Sequence, residues 1–187
     1  MSSILESPSV RQRIARHSVE AYHTLSEMGL VSERTELLRG VIVEKMTKTP
    51  LHVFIVDSLY ELARCAATTG QVVRKEEPLT LSDSEPEPDI AIVHGTREEF
   101  RRKHPATALL AIEVSVTTEE ADREKMSMYA EAGVAEFWLV LPAHGTIEIF
   151  VRPVQGNYSV AQVCRKGEVA QSQVIPALRV DVSQLLG

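Results

Sequence analysis

The sequence predicts a single mixed α/β domain: a mixed sheet flanked by helices, with β-hairpins near its N- and C-terminal ends. Three observations predict it. Segments with helical spacing of apolar residues alternate with short apolar runs too brief for helices, which is the pattern of helices layered on a sheet. Gly-containing turn signals separate paired strand-like runs near both ends. The chain has 187 residues, 44% of them hydrophobic, which is enough for one core, and no repeat or linker suggests a second.

Residues 1–17 are polar and Ser-rich and read as a flexible N-terminal tail, leaving 18–187 as the domain. Ser18 can cap a helix running to about Met28, with Gly29 as its stop. Thr35 to Met46 reads as two strands folded at Arg39-Gly40. Thr49-Pro50 opens a helix, since proline suits the first helical position. Val53, Val56, Leu59, Tyr60 and Ala63 then recur at helical spacing, and Gly70 marks the end. Gln71–Glu76 and Asp89–Val93 read as strands, separated by a loop stiffened by Pro78, Pro86 and Pro88. Thr96–Glu99 and Thr117–Glu120 are capping-box patterns, the first opening a short helix and the second a helix to Ala132. Between them Ala108–Ser115 is a buried strand; Glu136–Leu141 is the next. Thr146–Arg152, Tyr158–Cys164 and a segment near Val169 follow as hairpins, turned at His144-Gly145, Gly156-Asn157 and Lys166-Gly167.

A net charge of −6 argues against a broad nucleic-acid footprint, although metal-binding acids also lower net charge. Arg97, Arg101, Arg102, Lys103 and His104 cluster, as a solvated helix face would. No run approaches the roughly 20 apolar residues of a membrane span, and Met1–Arg16 lacks a signal-peptide core, so a cytoplasmic protein is expected. Cys65 and Cys164 stand apart and read as buried free thiols.

The chemistry concentrates between Pro88 and Lys125. Glu113 lies inside an apolar strand, and a lone buried carboxylate costs several kcal/mol or more. It must therefore be paired, protonated or bound to a cation. Asp89 opens the preceding strand, so pairing of the two strands can bring both carboxylates to one sheet end. A divalent cation relieves their repulsion, and magnesium accepts a few carboxylate oxygens while keeping several waters. Such a site activates water and orients a phosphodiester. Ser115 shares a strand face with Glu113, and Asp122, Lys125 and Tyr129 share one helix face. Lys125 can stabilise a developing anion or help to deprotonate water.

Pro88-Asp89, Glu113-Val-Ser and the block Asp122-Arg-Glu-Lys125 through Tyr129, Gly133 and Phe137-Trp138 carry a resemblance. They resemble the Uma-type family of putative restriction endonucleases, in the PD-(D/E)XK nuclease superfamily. Glu36-Leu-Leu-Arg-Gly40 and Lys48-Thr-Pro-Leu-His52 add to it, and the match spans nearly everything after about residue 19. The resemblance implies a restriction-endonuclease-like fold, a divalent metal (Mg or Mn) on Asp89 and Glu113, and DNA as substrate. It also makes a homodimer an expectation. Ser115 stands where the superfamily signature places lysine, and Lys125 from the helix takes that place. Asp89, Glu113 and Lys125 are then the catalytic set, with His52, Ser115 and Asp122 as auxiliaries.

Two other readings compete. One is a catalytically inactive binding or regulatory module that keeps the nuclease fold. The other makes Glu113 and Lys125 a structural ion pair, with Asp89 a turn residue, Lys125 and Asp122 on a solvated helix face, and Tyr129, Phe137 and Trp138 simple core.

Overall fold

A computed structural model describes residues 7–187. Residues 1–6 of the expected tail lie outside the described residues. Within the rest of that stretch, Pro8–Arg11 forms one helical turn, α1, and the His17 N–H donates to Gly40 O at 2.8 Å. Helix α2 (Val19–Glu27) starts as its sequence dictates, with Ser18 Oγ accepting from the Ala21 N–H.

Strands β1 (Thr35–Leu38) and β2 (Val41–Glu44) form a separate two-stranded antiparallel hairpin, turned at Arg39-Gly40. The turn is pinned where Arg39, at φ 52°, donates its backbone N–H to Ser84 Oγ and clamps Glu131 with its guanidinium. Helix α3 (Pro50–Ala66) is capped by Thr49, whose Oγ1 accepts from the His52 N–H. It ends at Ala66, four residues before the expected Gly70, because Ala67 turns to extended backbone. Ile55, Val56, Leu59, Ala63 and Ala66 form its buried face. Val53, expected on that face, is exposed.

The main sheet has six strands in the order β3-β4-β5-β6-β7-β8: Gln71–Lys75, Ile90–His94, Leu110–Val114, Glu136–Leu141, Thr146–Val154 and Asn157–Arg165. All neighbours are antiparallel except β5 and β6, which run parallel. Parallel neighbours need a crossover, and α4 (Glu119–Glu131) supplies it. Central strands β5 and β6 are buried throughout, which is why they read as continuous apolar runs rather than alternating ones. One face of the sheet packs on α3 through Ile90, Ile112, Trp138 and Ile149. The other packs on α4 through Ala91, Ala111, Phe137 and Leu139, with Met128 and Tyr129 from the helix.

Three further features depart from expectation. The Thr96–Glu99 box forms, with both reciprocal bonds, but opens only a 3-10 turn at Glu99–Arg101. The Thr117–Glu120 box does not form: Thr118 is the N-cap and its hydroxyl donates to Asp122 instead, at 2.5 Å. The last strand segment, β9 (Val169–Gln171), pairs with an unforeseen β10 (Arg179–Asp181), and α5 (Val182–Leu186) closes the chain over the α3 face. Both cysteines are free, but only Cys164 is buried; Cys65 is exposed. No described helix is long and apolar enough to cross a membrane.

Candidate active site

The site forms at one end of the sheet, where the two helix layers and the hairpin meet over β4 and β5. Ile90 pairs with Ile112, and continuing that register sets Asp89 opposite Glu113. Directly opposed residues of an antiparallel pair share a face. Asp89 is fixed by the strand it faces, since its Oδ2 accepts from the Val114 N–H at 2.7 Å. Glu113 is 3% exposed. Its Oε1 accepts from Tyr129 OH at 2.6 Å and lies 3.4 Å from Lys125 Nζ.

Lys125, in the second turn of α4, points into the same space. Its ammonium lies 3.1 Å from Glu36 Oε2, 3.2 Å from Glu36 Oε1 and 4.0 Å from Asp122 Oδ1. Burial works against that charge, but Glu113, Glu36 and Asp122 outweigh it and hold the lysine pKa above its ordinary range. These acids therefore favour the charged form of Lys125. Burial pushes Glu113 well above the carboxylate range, with Lys125 pulling it back and Asp89, Asp122 and Glu36 pushing it further. Burial likewise raises Asp122, against the hydrogen bond from Thr118 and the charge of Lys125. Burial and then the charge of Glu113 keep the Tyr129 phenol protonated, so its O–H remains a donor. The Lys125 ammonium lies within 4.0 Å of three buried acids, Glu36, Glu113 and Asp122, whose repulsion when ionised a further cation would relieve.

His52 comes from the first turn of α3, on the other side of the sheet. Its Nδ1 lies 3.1 Å from Val114 O, the carbonyl partner for an Nδ1–H. Its Nε2 pairs with Asp89 Oδ1 at 3.1 Å, outside strict hydrogen-bond geometry. The carboxylate nevertheless draws the imidazole pKa up, against the effect of burial. Glu76 faces the same point. It leaves β3 with φ 53°, a left-handed backbone that a branchless glycine would adopt more readily. Its N–H donates to Asp89 O at 3.0 Å. One donor atom from each of His52, Glu76 and Asp89 lies within 4.8 Å of the others. An imidazole nitrogen clustered with two carboxylates is a donor set that fits a divalent cation.

Asp89, Glu113, Lys125, Asp122 and His52 all border one cleft of about 760 Å³. Ser115 does not line it; its Oγ lies 3.5 Å from Thr118 Oγ1 and supports the N-terminal turn of α4. Sequence reasoning missed Glu36 and Glu76. Glu36 sits in a short strand among apolar residues, the same signal that singled out Glu113. Nothing local marks Glu76, whose orientation comes from its backbone conformation. Tyr129, read as core, is core and also the hydrogen-bond donor to Glu113.

A mixed sheet with a flanking crossover helix and a polar, acid-lined sheet end defines a nuclease-like α/β domain. The sequence matches the family model described as Uma2, putative restriction endonuclease, over residues 19–183, and the chain belongs to that family. Among solved structures, the fold is similar to a putative nuclease belonging to DUF820 from Anabaena variabilis. The TM-score is 0.69 at 17% identity, covering 87% of this chain and 96% of that one. No curated protein matches the chain. The family supports a nuclease function, that of a hydrolase acting on phosphodiester bonds in nucleic acid, and the structural match supports the fold.

Proposed function

We propose that the protein is a divalent-metal-dependent endonuclease that hydrolyses DNA phosphodiester bonds at the Asp89 end of the sheet. The observation that carries this reading is the convergence of Asp89, Glu113 and Lys125 beside the His52, Glu76 and Asp89 cluster. Asp89, His52 and Glu76 would hold the cation, with Glu113 as a further carboxylate on the same sheet end. An imidazole in the donor set suits manganese better than an all-oxygen site would, and magnesium remains compatible with the carboxylates. A bound divalent cation would polarise a phosphoryl oxygen and lower the pKa of an attacking water.

The protein's own groups would do the rest. Asp89 keeps its orientation through the Val114 N–H, with its other oxygen held beside His52 Nε2 at the cleft. Lys125, held protonated, offers N–H donors toward negative charge developing on the phosphate. Tyr129 and Lys125 together fix the Glu113 carboxylate on one oxygen. Glu36 anchors the lysine from the hairpin side and is itself tied by the Glu87 N–H at 2.8 Å.

Incubation of the purified protein with plasmid, linear duplex and single-stranded DNA, in Mg²⁺ or Mn²⁺, tests the reading. Cleavage should require the metal and vanish in Asp89→Asn and Lys125→Met. Absence of cleavage on every substrate, with Asp89→Asn and wild type binding Mn²⁺ alike, would overturn it.

A further inference from the structure

The hairpin that delivers Glu36 to the site also sets two cations against each other. Continuing the β1–β2 register past Thr35 and Glu44 places Arg34 directly opposite Lys45, and the Lys45 N–H donates to Arg34 O at 2.8 Å. Like charges directly opposite in an antiparallel pair destabilise it, unless an anion lies between them. Strand alternation gives Arg34 and Glu36 the same face, the one turned toward Lys125. Arg34, Lys45 and Lys48 line the cleft, and Lys125 is the fourth Lys or Arg among its described lining residues.

Two of these cations are already held by acids of the β3–β4 loop. Lys45 Nζ lies 2.7 Å from Glu87, and Lys48 Nζ lies 2.8 Å from Glu76. Glu76 is the carboxylate that clusters with His52 and Asp89. A cation on that cluster and Lys48 compete for the same carboxylate, so binding of one weakens the hold on the other. The basic cluster Arg97–Lys103 is elsewhere. It follows β4, which runs from the site at Asp89 to His94, about 17 Å at the rise of a strand. None of those residues lines the cleft.

We propose that the open end of the hairpin is the nucleic-acid-binding wall of the cleft, with Arg34 and Lys45 gripping backbone phosphate and Lys48 joining them only once a divalent cation occupies Glu76. This rests on the nuclease reading and adds to it where the strand lies and in what order the site assembles. Binding of metal comes first, and it frees a phosphate-binding lysine beside the reacting position. The acidic chain thus concentrates its positive charge on one β-ribbon instead of spreading it over a basic face.

The test measures binding of fluorescein-labelled duplex and single-stranded DNA by anisotropy across a salt series, with and without Mn²⁺. A Glu113→Gln background prevents cleavage and leaves His52, Glu76 and Asp89 intact. Removing one phosphate-binding side chain lowers the slope of log K against log salt by about 0.9 for duplex and about 0.7 for single strands. Arg34→Ala and Lys45→Ala should each lower it by that amount with or without Mn²⁺. Lys48→Ala should do so only with Mn²⁺. Arg101→Ala/Arg102→Ala should leave it unchanged. Hairpin variants with unaltered slopes, or an equal Lys48→Ala effect in both conditions, would overturn the proposal. Mn²⁺ binding to the wild-type protein without DNA, read by electron paramagnetic resonance, reports on the nuclease reading separately. Bound Mn²⁺ with unchanged slopes rejects the hairpin wall alone, and no bound Mn²⁺ rejects the metal site and the release of Lys48 together.

Discussion

Replacing Lys125 with methionine removes one buried charge and leaves its carboxylate neighbours behind. The side chain is 9% exposed and sits 3.1 Å from Glu36, 3.4 Å from Glu113 and 4.0 Å from Asp122. At an effective dielectric of about 20, each pairing is worth roughly 4–5 kcal/mol before desolvation is subtracted. Desolvation cancels most of that, and removing one partner of a buried pair costs about 3–5 kcal/mol. The cost depends on pH in a definite sense. The folded-state pKa of Glu113 is raised above its ordinary 4.5 by burial, so its contribution to stability is fully present below that value and is lost as pH rises through the raised one. Lys125 pulls the Glu113 pKa down, so Lys125→Met must raise it further and widen the window over which stability falls. The variant should trail wild type by about 3–5 kcal/mol near pH 8 and by clearly less near pH 5. Urea unfolding followed by the fluorescence of Trp138, the one tryptophan and fully buried, measures both. Adding Glu113→Gln should recover part of the deficit, because a neutral amide needs no counter-charge. A difference under about 0.5 kcal/mol, the range of an ordinary surface substitution, or one that is flat across pH would refute this account of the cluster.

Asp89→Asn keeps an acceptor for the Val114 N–H and a polar neighbour for His52, so the fold should persist while Mn²⁺ affinity, read by calorimetry, falls by at least about tenfold. Glu76→Gln should likewise weaken Mn²⁺ by about tenfold or more with no change in urea midpoint, since its carboxylate is part-exposed and its ion pair is with a half-exposed Lys48. Tyr129→Phe removes a hydrogen bond to a buried carboxylate and should cost about 1.5–3 kcal/mol in urea unfolding. Glu136→Ala separates fold from site. Its buried carboxylate accepts from the Trp138 indole and from the N–H groups of Gln173 and Val174, so its removal should cost at least about 2 kcal/mol and leave Mn²⁺ affinity unchanged.

Much of the architecture was legible because it is written in local periodicity. Ser18, Thr49 and the Arg39-Gly40 turn act within a few residues of themselves, and the structure uses each as its chemistry suggests. The Thr117–Glu120 box failed because the helix starts one residue later, with Thr118 as N-cap and its hydroxyl donating to Asp122 in the first turn. The β9–β10 pair was illegible because its strands are three residues each and show no usable alternation.

The candidate site divides along the same line. Sequence alone determined that Glu113, an acid in a fully apolar strand, needed a partner, because the cost of a bare buried charge holds in any fold. It also marked Asp89 and Lys125 as residues to watch beside it. Only tertiary structure decided which groups answer that need. The antiparallel register set Asp89 across from Glu113, the separate hairpin brought in Glu36, and the left-handed turn at Glu76 aimed a third acid at His52. These interactions join residues up to 89 positions apart, so no window of sequence contains them. Their positions follow from how the layers pack, and the packing energy belongs to the whole core rather than to any one motif.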